Sequence, residues 1–483
     1  MPANAKNNRN RNVQCFVLIV VLGSLLAIIL RNTGTFSLGR KDGPRGKLSL
    51  SNTLSNNQSS GFQAPLLNTE LCWDEMPVPP TKIISHAPGW TVFDKLYVRE
   101  GTIYVVTDSP ELVPDAKEIF STGQKLLPGN INLPELEPTE KDFKVISTRD
   151  ARHLFGPCSI RINGVSFFSS ESPQYLSHMY HFAAELLFGM WRTYTTLDQG
   201  VEVNGHTLLP SPRRWIFPHI GPTQWRDYAA MNQFILRAAF PSMVLEFSDT
   251  WEERASLKGR VFTYDQIVLG DRVAAMHGDR YPATERIAAE AFKLRASPSW
   301  WNTVRMAVLE FCKVRNRDVM HRVPVITYVS RQKWGRRMLR EEDHLRLVAD
   351  LKALQQRRPV EINVVELDRM PREEQIRVAA RTTILMGVHG NGLSTLLWMR
   401  PTLQATVIEF FYPENFARDY EWTAQALGIG YYGIWNNHAF SSPNLPPRVV
   451  TEDFHGNQIP LDASTVIQLI ERRLDRTNMS WDE

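Results

Sequence analysis

The sequence predicts an α/β protein, and two patterns carry that expectation. From Val325 onward, short β-branched runs alternate with amphipathic helical stretches, the order that builds a parallel sheet covered on both faces. Between about Glu70 and Val314, short strands and helices are mixed without regular alternation. Composition agrees: 43% hydrophobic and 22% charged residues suit a globular chain, and 483 residues allow two or three domains. A net charge of +4 (55 Lys+Arg against 51 Asp+Glu) is too weak to argue for nucleic acid. Four cysteines without a CxxC pair exclude a disulfide-built scaffold and argue against structural zinc.

The N-terminus predicts a membrane anchor. Residues 1–12 form a basic tail, and residues 13–30 are free of charge, close to the about 20 apolar residues that span a bilayer. A core helix would carry a polar face, and a cleaved signal peptide would need small residues where Arg31-Asn32-Thr33 stand. Residues 31–69, rich in Ser, Asn and Gly, read as a flexible stem. Basic residues flank the span on both sides, so the short tail, the large downstream body and the sequons at Asn57 and Asn478 orient it. The expected protein is single-pass type II, with its body in the lumen of the Golgi or endoplasmic reticulum. A short span suits these thinner membranes. Three lumenal cysteines, Cys72, Cys158 and Cys312, permit one disulfide and one free thiol.

Two units follow, 70–315 and 316–483. In the first, 102–106 and 214–217 read as strands, and 159–168 as a hairpin turning at Asn163-Gly164. The Pro-rich stretch 127–138 reads as a loop, and 177–194, 223–239 and 300–314 as helices. In the second, strands are expected at 325–329, 361–367, 383–388 and 406–410. Helices are expected at 341–357, with Leu345, Val348, Leu351 and Leu354 inward, and at 371–380, 393–399, 421–427 and 462–474. Ligands of such a sheet belong at the carboxyl ends of its strands.

The most informative stretch is a buried strand running into His389-Gly390-Asn391-Gly392 and then a helix. Two glycines allow close backbone approach, and the helix start offers free N–H groups to a diphosphate, with His389 as a further donor. A purely structural strand–helix turn would need the same glycines. Glu409 ends the next strand, where a carboxylate can meet ribose hydroxyls or a salt-bridge partner. Ser330 and Arg331 end the first strand, followed by Arg336, Arg337 and Arg340; guanidinium forks suit phosphate oxygens. His181 and Glu185, spaced i and i+4, read either as a general base with its orienting carboxylate or as a half-buried ion pair. Asp271 is the reserve base. No metal ligands are expected: HExxH is absent, and so is the Asp-x-Asp that would hold a divalent cation.

Together these segments resemble the family 61 glycosyltransferases. Gly387-Val-His-Gly-Asn-Gly-Leu-Ser394 is similar to the family's G-x-H-G-A-G-L-T block, Val407-Ile-Glu409 to its V-x-E strand, and Tyr328-Val-Ser-Arg331 to its arginine-bearing strand end. Tyr180-His181-x-x-x-Glu185 resembles its aromatic-His-x-x-x-Asp block, with Glu for the commoner Asp. The resemblance implies a GT-B-like pair of Rossmann-type domains, with nucleotide sugar in the C-terminal half and acceptor toward the N-terminal half. It also implies an inverting, metal-independent transfer, without cofactor, from a UDP-sugar (xylose or N-acetylglucosamine) to a glycan or glycoprotein. A catalytically silent lumenal glycan-binding protein is the alternative. A glycoside hydrolase would need a carboxylate pair that the sequence does not offer.

Overall fold

The computed structural model describes residues 69–126, 132–315 and 323–476. The expected membrane span, most of the stem and both sequons lie outside them. Among the described residues no helix is long and apolar enough to cross a membrane.

Among the described residues, fifteen strands form two sheets. The first contains β1 (Glu70–Cys72), β2 (Lys82–Ala87), β3 (Trp90–Arg99), β4 (Thr102–Val106), β5 (Phe143–Ile146), β6 (Cys158–Ser169), β7 (Arg214–Ile216), β8 (Val244–Glu246) and β9 (Val261–Gly270). Its order is β5-β4-β3-β9-β6-β7-β8, with β1 on β6 and β2 on β3. Strands β9, β6, β7 and β8 run parallel in succession, and so do β4 and β5 at the other edge; β3 is antiparallel to β2, β4 and β9. The sheet is therefore mixed, unlike a uniformly parallel Rossmann sheet. Cys72 and Cys158 form a disulfide joining β1 to β6, and Cys312 is free and buried.

The second sheet contains β10 (Val325–Val329), β11 (Glu361–Val365), β12 (Ile384–Val388), β13 (Thr406–Phe410), β14 (Gly430–Trp435) and β15 (His438–Phe440), ordered β11-β10-β12-β13-β14-β15. Its first five strands are parallel and β15 is antiparallel. The strand order reverses between β10 and β12, which makes their carboxyl ends the switch point where such sheets bind ligands. Helix Glu341–Arg357 covers one face, with three acidic residues in its first turn and Arg357 in its last, both favourable to the helix dipole. Its inward residues are Leu347, Leu351 and Leu354; Leu345, expected inside, is exposed. Asp462 caps the helix Ala463–Leu474 by accepting the Ser464 and Thr465 N–H groups. The largest apolar core runs unbroken from Trp90 and Phe182 through Trp398 to Leu393 and Val407, so both sheets share it.

Three local expectations are corrected. The segment 159–168 is no hairpin: β6 continues through it, and the register with β9 shifts between Ile162 and Val165. Asp265 of β9 holds this bulge by accepting the Gly164 N–H and pairing with Arg161. The helix expected at 223–239 is only Met231–Ala239, because Asp227 accepts the Asn232 N–H and Asn232 donates to the Leu176 and Trp225 carbonyls. Part of the 127–138 loop is a short helix, Leu133–Leu136.

Candidate active site

The switch point holds the residues the sequence singled out. Ser330 and Arg331 follow β10, and His389-Gly390-Asn391-Gly392 follows β12 and opens a 3₁₀ helix, Asn391–Trp398, in place of the expected α-helix. Gly390 has φ +153° and ψ 171°, a conformation essentially confined to glycine, and a Cβ there would lie 2.6 Å from the Arg331 guanidinium. The loop is thus moulded around Arg331. That guanidinium also lies 5.5 Å from the Trp334 ring centre, and its Nε has no hydrogen-bond partner among the described residues. Burial, then the neighbouring Arg337, lowers its pKa to about 10. A cation buried beside another cation, with an unpartnered N–H, favours an anion.

Ser330, Arg331, Asn391 and Gly392 line a cleft of about 580 Å³ between the sheets. Its apolar wall includes Val329, Leu367 and Met370, and its far side is Met179, Tyr228 and Met231 from the N-terminal half. Arg336 is exposed, and Arg337 lies beside it, donating from Nε to His455 at 3.0 Å.

Glu409 does not reach toward a ribose. It is fully buried, and its two oxygens are taken by His389 Nδ1 at 2.5 Å and the Tyr431 hydroxyl at 2.6 Å. It orients the His389 ring and leaves Nε2 for a ligand.

The second constellation lies on a π-helical stretch, Tyr180–Leu187. His181 Nδ1 meets Glu185 at 2.6 Å, and the ring stays partly exposed while the carboxylate is buried. Arg272 bonds the same Glu185 oxygen at 3.0 Å and Glu171 at 2.9 Å. Arg286 lies 3.7 Å from the other Glu185 oxygen and 2.6 Å from Asp419. Burial pushes the Glu185 carboxyl upward, but Arg272, His181 and Arg286 outweigh it and hold the group below the usual range, hence ionised. Asp419 is likewise held low against its burial by Arg286, His389 and His181, which places both histidines within its field. The adjoining Tyr420 ring lies 5.3 Å from Tyr180 and 5.4 Å from His389.

Asp271, the reserve base, does not belong to this group. It is fully buried and caps the helix Arg272–Met276 by accepting the Ala274 N–H at 2.8 Å. Burial raises its pKa to about 7. His181 and His389 do not line the cleft; Met179 and Asn391, each two residues away in the chain, do. The sequence reading missed Arg272, Arg286, Asp419, Tyr228 and Trp334, whose roles depend on partners distant in the chain. Arg337 was visible only as one of three basic residues after β10. Among the described residues, no cluster of three or more His, Cys, Asp or Glu side chains could hold a metal ion.

Residues 179–408 match the family model described as Glycosyltransferase 61. The match starts one residue before the π-helical stretch and ends within β13, so it takes in His181, Glu185, Arg331 and the glycine loop and stops one residue short of Glu409. No curated protein matches the chain.

Proposed function

We propose the following division of labour for this chain, which belongs to glycosyltransferase family 61. As a glycosyltransferase it takes a nucleotide-sugar donor and a glycan acceptor. The donor is a UDP-sugar, with xylose or N-acetylglucosamine as the sugar, and the transfer inverts the anomeric carbon without a divalent cation. The observation carrying this reading is the Arg331–Gly390 contact at the switch point, a half-buried cation cradled by a glycine loop at the mouth of a cleft. The diphosphate lies against Arg331 and the first N–H groups of the helix at Asn391, with Arg336 and Arg337 nearby.

His181 is the base. Ionised Glu185 accepts its Nδ1–H, so Nε2 is free of hydrogen and can take the acceptor hydroxyl's proton. The hydroxyl oxygen bonds to C1 as the C1–O bond to the diphosphate breaks, its electron pair passing to the leaving oxygen. The cationic cradle stabilises that charge. In this reading the acceptor is activated from the helix beside the first sheet and the donor is bound by the loops of the second. The disulfide Cys72–Cys158 supports an oxidising compartment, in keeping with a Golgi lumenal body anchored by residues 13–30.

A panel of UDP-sugars offered to the full-length protein tests this reading. One donor should be hydrolysed slowly alone and consumed faster with a glycan acceptor. Absence of binding by any UDP-sugar, with another nucleotide sugar turned over, would overturn the donor assignment.

A further inference from the structure

A second cavity, of about 570 Å³, lies away from the donor cleft and shares none of its lining residues. It is walled by the helix Asn302–Phe311, the end of the helix Asn391–Trp398 and the segment 202–204. That segment is fixed in place: Asn302 donates to the Val203 carbonyl at 2.9 Å, and Ser297 to the Val201 carbonyl at 2.8 Å.

The polar lining is rich in donors and poor in acceptors. Arg305 is 7% exposed, and its terminal nitrogens reach the Met399 carbonyl and the Asn302 amide oxygen, neither of them a carboxylate. Its Nε has no partner among the described residues, nor has the indole N–H of Trp398, which is fully buried. Exposed Arg400 adds a second guanidinium at the rim, close enough that, after burial, its charge lowers the Arg305 pKa to about 10. Among the described residues the one acid in the lining, Glu202, is drawn to His206 and accepts from Asn204. Opposite these groups stand Met306, Leu309 and Val314. Unmet buried donors are costly unless something accepts from them, and a cation with no counter-charge is costlier.

We infer that this cavity is a second binding site, separate from the donor cleft, for a small amphiphilic anion: a carboxylate seated between Arg305 and Arg400, with its apolar body on Met306 and Leu309. A flat ring or short chain fits the apolar wall, and the charge selects the acid over its neutral analogue.

The test uses the full-length protein with 2-naphthoate, and its neutral amide 2-naphthamide as the matched control, followed by calorimetry and by saturation-transfer NMR. Saturable 2-naphthoate binding is expected, at least tenfold tighter than that of the amide and undiminished by saturating UDP. Arg400→Glu, at an exposed position where folding should be unaffected, should weaken it at least tenfold, and Arg305→Lys should weaken it while keeping the charge. Equal binding of acid and amide, full competition by UDP, or unchanged affinity in a folded Arg400→Glu protein would each overturn the inference. So would the absence of any saturable binding.

Discussion

Arg286, from the N-terminal half, and Asp419, at the start of the helix after β13, meet at 2.6 Å and join the His181 network to the second sheet. Both side chains are largely buried, so removing one partner leaves an uncompensated charge. Asp419→Asn or Arg286→Met should each destabilise the protein by about 3–5 kcal/mol. The double variant should recover part of that loss, read by denaturant unfolding as a double-mutant cycle. Strict additivity would show that the pair is not coupled.

Arg331→Ala and Arg337→Ala should weaken UDP binding. A lost charge-assisted hydrogen bond costs about 1.5–3 kcal/mol, or roughly 10- to 150-fold in affinity. Gly390→Ala should do the same by a different route, because its Cβ would displace the Arg331 guanidinium. Calorimetric titration with UDP measures all three. Wild-type affinity in folded variants would make the loop structural only.

Chelation should leave transfer largely intact if, as proposed, Arg331 with Arg336 and Arg337 nearby and the helix start at Asn391 carry the charge of the leaving diphosphate. Rates measured with and without EDTA decide this. A complete loss restored by manganese would refute it.

The second half of the chain was legible because its helices repeat at 3.6 residues and its strands are short apolar runs of similar length. The first half was not. Strands β3 and β9 are ten residues long and buried along most of both faces, so they show no alternation. The Asn163-Gly164 pair looks like a turn until Asp265, about a hundred residues on, supplies the partner that makes it a bulge. The same holds at the site. The His181–Glu185 spacing and the glycine loop are local and could be read, whereas Arg286 finds its carboxylate 133 positions away. Glu409 was placed at the right strand end with ribose and a salt-bridge partner both open, because nothing local reveals Tyr431 and His389 on its two oxygens.

Asp271 should prove structural. Its pKa near 7, against about 3.9 in the unfolded chain, means the folded protein keeps a proton there that the unfolded chain has lost. Stability should therefore fall as pH rises from about 4 to 7, with the loss persisting above that window and no pH slope from this group outside it. Asp271→Asn preserves the helix cap and removes the titration. Its unfolding free energy should lose that part of the pH slope, and its turnover should remain near normal. A dead but stable Asp271→Asn enzyme would reinstate it as the base.

His181→Ala is the sharpest prediction. The ring's Nδ1 is committed to Glu185, which Arg272 and Arg286 keep ionised, so the arrangement orients one nitrogen inward and leaves the other for a substrate proton. Loss of a general base costs about 10²–10⁴-fold in rate. Turnover of His181→Ala should fall by that range while UDP affinity stays nearly constant, because the donor cradle belongs to the other sheet. Glu185→Gln should be worse for the fold than for the chemistry alone, since it leaves Arg272 facing one carboxylate, Glu171, where it now faces two. Steady-state kinetics paired with UDP titration and thermal unfolding separates these effects. A well-folded His181→Ala enzyme with near-normal turnover would reduce the His181–Glu185 pair to a helical ion pair and send the search for the base elsewhere in the cleft.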